Sequence, residues 1–132
     1  MASTYKTFED LECWKAGREA RFFFKEIIKR LPKEEKFLLV DQIKRASRSV
    51  TNNIAEGFGR FHYQENIQFC RSSRGSLHEL VDHVIICKEE EYISEEEYKK
   101  GRELLNKAIA ILNGYINYLI KAKKENKSKD NE

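Results

Sequence analysis

The chain has 132 residues, 25 Lys and Arg against 22 Asp and Glu, a formal net charge of +3, one proline and six glycines. That length suits one domain with one hydrophobic core, and so few turn residues exclude an architecture of many short strands. Three cysteines, Cys13, Cys70 and Cys87, stand without a C-x-x-C spacing, which argues for reduced thiols in a cytoplasmic protein rather than a disulfide framework or a zinc site.

The first helix is expected from Phe8 to Leu31. Thr7 is placed to cap it, with Asp10 three residues on. Leu11, Trp14, Phe24, Ile27, Ile28 and Leu31 form its apolar stripe, and at least one of Phe22, Phe23 and Phe24 must leave that seam. Pro32 ends it, because proline lacks an N–H and disfavours helical geometry in the residue before it.

The second helix is expected from Phe37 to Glu56. Val40, Ile43, Ser47, Val50, Ile54 and Gly57 alternate steps of three and four. Ser47, Thr51, Asn52, Asn53 and Ala55 keep this helix thin, so a neighbour is expected to pack closely. Asn52, Asn53 and Glu56 are expected to be hydrogen-bonded, Glu56 to Arg60 or Arg74, since burying them unpaired is costly. Gly57 and Gly59 are expected to close the helix in the left-handed conformation.

The third helix starts at Tyr63 or Gln64 and runs to Glu90, with Cys70, Ser73, Leu77, Leu80, Val84 and Cys87 as its seam. Ser94 and Glu97 form a capping box for the fourth, which carries Tyr98, Gly101, Leu105, Ala108, Leu112, Tyr115 and Leu119 in the same three-four pattern. The expected organisation is a tail at 1–6, a four-helix bundle over 7–122 and a disordered basic tail at 123–132. Four helices with short connections predict an all-α, antiparallel, up-down-up-down bundle.

Enzymatic motifs fail on inspection. Gly57-Phe58-Gly59 follows a helix rather than a strand and lacks the third glycine of a dinucleotide fingerprint. His78 and His83 are five apart and point about 140° from each other on a helix, so they do not make a zinc-protease pair and are expected on the surface. Cys70 and Cys87 fall on the seam as core thiols. No metal, no cofactor and no catalytic residue is expected, and no 18-residue apolar run suggests a membrane span.

Charge does segregate. Lys44, Arg45, Arg48, Arg60, Arg71 and Arg74 stand against only Glu56 and Glu65 between Gln42 and Gly75. The stretch from Ser76 to Leu105 is acidic, so one end of the bundle is expected to be basic and the other acidic. Arginine forks onto phosphates or carboxylates, and Phe58, Phe61, His62 and Tyr63 lie beside the turn where bases stack. A solvated or intersubunit salt-bridge face is the competing reading of the same cluster.

"LECWKAGREA", "LPKEEKFLLVDQIKRASRSVTNNIAEGFGR", "RGSLHEL" and "YISEEEY" together resemble the four-helix-bundle proteins encoded in 23S rRNA intervening sequences. The resemblance spans Phe8 to Leu119. That family is similar to the accessory variability protein of diversity-generating retroelements. "NIAEGFGR" supplies the structural motif Asn53, Glu56, Gly57 and Gly59. The family commonly has "SIPANIAEG", and Thr51 stands here in place of its proline. The resemblance implies a homopentameric ring and work near nucleic acid, RNA ahead of DNA, with a reverse transcriptase among the candidate partners. The expected function is a non-catalytic, oligomeric nucleic-acid-binding adaptor or chaperone in the cytoplasm. The alternative is an oligomeric protein-binding scaffold with no direct nucleic-acid contact.

Overall fold

The computed structural model describes residues 5–130. The chain forms four α-helices: α1 (Glu12–Ile27), α2 (Leu39–Phe58), α3 (Tyr63–Glu89) and α4 (Glu95–Asp130). No strand occurs among the described residues. α1 rests on α2 and α4, and α3 rests on the same two helices, so the four form a bundle with one shared core.

The first helix is shorter than its periodicity suggests. Phe8–Asp10 make a single 3-10 turn, held by the Thr7–Asp10 capping box. Leu11 then turns extended, at φ −73° and ψ 128°, and buries its side chain before α1 begins. After Ile27 the chain tightens into a second 3-10 turn, Ile28–Arg30, and Pro32 bars a return to the helix. The three phenylalanines divide their work. Phe24 is fully buried, Phe23 lies against Gly101, and Phe22 is 52% exposed.

Close packing along α2 is achieved within the bundle. A Cβ added to Gly17 of α1 would stand 2.9 Å from Val50 Cγ1 and 3.3 Å from Thr51 Cγ2. On the other side, Ser73 Oγ donates to the Val50 carbonyl at 2.7 Å, and Ser76 Oγ donates to Ser49 Oγ at 2.9 Å. The small seam residues are therefore where α1 and α3 come nearest to α2. Leu39 takes the first core position of α2 in place of Val40, because the linker's 3-10 turn at Lys33–Glu35 delays the helix.

Two helix ends differ from expectation. Gly59 closes α2 with φ −76°, a right-handed geometry, and no described glycine has positive φ. The left-handed residue is Glu91, at φ 61°, after α3. There the Tyr92 N–H donates to the Cys87 carbonyl at 2.9 Å, closing the last turn in a Schellman pattern. The Ser94 cap of α4 forms as expected: the Glu97 N–H donates to Ser94 Oγ, and the Ser94 N–H donates to Glu97 Oε1.

The tail expected to be disordered from residue 123 instead continues α4 to Asp130. It holds neither proline nor glycine, and lysine and glutamate propagate a helix that is already nucleated. Residues 1–4 of the expected N-terminal tail, and residues 131–132, lie outside the described residues.

Candidate nucleic-acid interface

Arg18, Arg21 and Lys25 recur at steps of three and four along one face of α1, and Lys29 keeps the spacing in the 3-10 turn that follows. Lys44 and Arg48 recur at a step of four on α2. Packing α1 on α2 brings the stripes to the two sides of one groove. Arg21, Lys25, Lys29, Lys44 and Arg48 line it, with Phe22, Ile28, Ile43 and Ser47 among its other walls. The groove has a volume of about 560 Å³ and no acidic residue in its lining. It continues past Arg21 and Arg48 into a shallower hollow with Trp14, Arg45, Asn52 and Ala55.

Arg21 is held in place. Its Nη1 donates to Thr51 Oγ1 at 2.6 Å, and its guanidinium stands 5.6 Å from the centre of the Phe22 ring. Arg18 lies between two aromatics, 5.0 Å from Trp14 and 6.0 Å from Phe22. Lys29 is neutralised by Glu26 at 3.0 Å, and Arg45 by Asp41 at 2.7 Å. Arg21, Lys25, Lys44 and Arg48 have no acidic partner among the described residues. Four uncompensated cations around one groove make a positive potential that favours an anion.

The six basic residues singled out in the sequence do not gather at one end. Lys44 lies about 21 Å along α2 from Phe58, at 1.5 Å per residue. Arg60 sits at the α2–α3 turn, 3.5 Å from Glu65 and 4.9 Å from the centre of the Phe69 ring. Arg71 belongs to a separate basic hollow with Gln64, Ile67, Ile120, Lys123 and Lys124. Arg74 is half-buried and donates from Nη1 to Asn113 Oδ1 at 2.8 Å, tying α3 to α4. Of the turn aromatics, Phe61 is 90% exposed with His62 edge-on beside it, while Phe58 and Tyr63 pack on the core.

The groove's α1 half was not among the residues singled out. The signal was present in the spacing of Arg18, Arg21, Phe22, Lys25 and Lys29, but intervening acids hide it from a count of charge per segment. Lys123 and Lys124 join Arg71 because α4 runs on past the apolar pattern.

The "NIAEGFGR" stretch serves the packing. Asn53 Nδ2 donates back to the Ser49 carbonyl at 2.9 Å and to Ser49 Oγ at 2.8 Å. Glu56 and Asn52, expected to be buried and bonded, are both exposed. Glu56 makes no ion pair with Arg60 or Arg74; Arg60 turns to Glu65 instead. Gly57 is buried against Asn66 and Phe69 of α3, and Gly59 is an exposed end residue.

The model of the 23S rRNA-intervening sequence protein family matches residues 9–114. The chain belongs to this family. The match runs from the turn before α1 through most of α4, so it includes the whole groove and the "NIAEGFGR" stretch. No curated protein matches the chain.

The interior of this intervening-sequence protein buries all three of its free thiols. Burial raises Cys13 and Cys70 from 9.0 to about 12 and Cys87 to about 11. Cys70 Sγ lies 3.5 Å from Asn66 Oδ1, and Asn66 Nδ2 donates to the Tyr115 hydroxyl at 3.3 Å. Cys70 and Tyr115 stand in the seams read from the sequence, whereas Asn66, which joins α3 to α4, does not. His78 is exposed, but His83 is buried and pairs through Nε2 with Glu79 at 3.1 Å, which corrects its expected surface position. Among the described residues no group of three His, Cys, Asp or Glu side chains is placed to hold a metal ion. Nor is any described helix long and apolar enough to cross a membrane.

Proposed function

We propose that this protein is a non-catalytic, cytoplasmic, oligomeric nucleic-acid-binding adaptor or chaperone, with RNA its principal ligand. The observation that carries the reading is the α1–α2 groove, which Arg21, Lys25, Lys44 and Arg48 line without acidic partners among the described residues. Phosphate neutralisation is what such a surface does best, because each contact releases condensed counterions. Family membership supports the same direction, and the resemblance read from the sequence motifs is the ground on which we extend the proposal to a reverse transcriptase as a protein partner. Arg71, Lys123 and Lys124 supply a second phosphate-binding surface on the α3–α4 side.

The proposed bundle is antiparallel, up-down-up-down, and five copies close into a ring. The pairing of Gly57 with Asn66, Val50 with Ser73 and Ser49 with Ser76 supports the first part, since the numbers fall on α2 as they rise on α3. For the ring, Phe37 is 82% exposed, Leu38 58% and Phe61 90%, and they flank the two ends of α2. We take these exposed apolar groups as the contacts between chains. Placing the contacts there leaves the charged groove open.

The deciding measurement is binding of labelled RNA at micromolar protein across a salt series. The expected result is an affinity that falls linearly on a log–log plot as salt rises. Absence of binding at low salt favours the scaffold reading. Light scattering that gives a monomer at tens of micromolar removes the ring.

A further inference from the structure

We propose that the ligand of the α1–α2 groove is a single strand, and that Phe22 is the platform on which one of its bases stacks. The inference rests on the nucleic-acid reading above and adds the form of the ligand to it. Phe22 is 52% exposed while its two neighbours in sequence serve the bundle, Phe24 in the core and Phe23 against Gly101. A lone exposed phenylalanine is ordinary, but this one stands within a stripe of cations and lines the groove with them.

Two guanidinium groups stand near its ring. The guanidinium of Arg18 lies 6.0 Å from the ring centre and that of Arg21 5.6 Å, and Arg21 is itself anchored by the buried Thr51 hydroxyl at 2.6 Å. An aromatic surface with cations on both sides along a helix suits a chain that alternates bases and phosphates. A duplex offers the same groove only phosphates and sugars, because its base faces are already covered by their neighbours. A single strand turns out a base for the ring while its flanking phosphates reach Lys25, Lys44 and Arg48.

The test uses the full chain, a labelled single-stranded oligoribonucleotide and a labelled blunt-ended RNA duplex without loops, with affinity read by fluorescence anisotropy over a salt series. Phe22→Ala is expected to lose about 5- to 100-fold in single-strand affinity, with an unchanged salt slope and unchanged duplex affinity. Phe22→Trp is expected to retain or raise single-strand affinity. Arg48→Ala is expected to make the slope shallower by about one for either ligand. Circular dichroism and light scattering on each variant check that fold and assembly persist. Equal single-strand affinity for Phe22→Ala and the parent overturns the inference, as does an equal loss on strand and duplex. Loss of the oligomer in Phe22→Ala also overturns it, because the ring would then be a subunit contact. Failure of the parent chain to bind either RNA removes the nucleic-acid reading itself, and this inference with it.

Discussion

Gly57 of α2 lies so close to Asn66 of α3 that a Cβ on the glycine would stand 2.6 Å from Asn66 Oδ1 and 3.2 Å from the Asn66 carbonyl oxygen. The same Cβ would meet Phe69 Cβ at 2.9 Å, and neither that atom nor the backbone can swing away. Asn66 is further held by its bond to the Tyr115 hydroxyl. Gly57→Ala should therefore lower stability by about 1–3 kcal/mol through overpacking. Gly75 is the matched control, with nothing within 4 Å of an added Cβ on an exposed helix face. Gly75→Ala should raise stability by about 0.5–1 kcal/mol, from helix propensity. Urea unfolding of the two variants checks both signs.

Glu91 takes the left-handed position after α3 where glycine is usual. A side chain there is strained by roughly 1–2 kcal/mol, and part of that is offset by the greater freedom glycine has when unfolded. Glu91→Gly should thus raise the thermal midpoint, with a net gain of about 0.5–1 kcal/mol. An unchanged or lower midpoint by calorimetry contradicts this account of the turn.

These two ends illustrate what the sequence discloses and what it hides. The seam of α3 from Cys70 to Cys87 was legible because period 3.6 is a local property, and all six of its residues are buried. The fate of Gly57 was not legible. A glycine near a helix end serves equally as a left-handed cap or as a point of close approach, and only the position of Asn66 decides. The basic site divides in the same way. Lys44 and Arg48 were visible as cations, but Arg21 joins them only through packing, and Arg60 is drawn off by Glu65. Proximity along the chain does not report proximity around a helix.

Glu97 fastens the start of α4 twice. One carboxylate oxygen accepts from the Ser94 N–H, the other is bonded by Arg30 at the end of the 3-10 turn after α1, and Ser94 Oγ accepts the Glu97 N–H at 3.1 Å. Ser94→Ala removes the acceptor of the Glu97 N–H and keeps the backbone N–H that holds the Glu97 carboxylate. The expected loss is about 0.5–2 kcal/mol. Slower amide exchange, or no change, in the first turn of α4 would count against it.

Stability should fall on the alkaline side. In the folded chain burial pushes Cys13 and Cys70 up to about 12 and Cys87 to about 11, from 9.0. Tyr92 rises from 10.0 to about 12, chiefly because its hydroxyl donates to Glu35 Oε2 at 2.9 Å. Each group keeps its proton longer when folded than when unfolded. Above about pH 9 the unfolded chain therefore binds fewer protons, and the free energy of unfolding declines with pH. Well below pH 8 these groups contribute no slope. Native protein at pH 8 should also resist thiol-reactive dyes, and urea should expose all three cysteines together. A rapid reaction of any thiol in the native state contradicts the burial.

The arginines at 48, 60 and 74 should separate by the quantity each one changes. Arg48 lines the groove and has no acidic partner among the described residues, so Arg48→Ala should weaken RNA binding and make the salt slope shallower by about one, with little effect on folding. Arg60 already pairs with Glu65 and lies against Phe69, outside the groove. Its pair is half-exposed and screened, so Arg60→Ala should move neither the slope nor the melting temperature appreciably. Arg74 is half-buried on Asn113, and removing it leaves that amide oxygen without its donor between α3 and α4. Arg74→Ala should cost about 1–3 kcal/mol of stability while leaving the slope in place. Parallel salt titrations and thermal melts of the three variants decide the assignment. A steeper loss of affinity from Arg60→Ala than from Arg48→Ala would move the binding face from the α1–α2 groove to the α2–α3 turn.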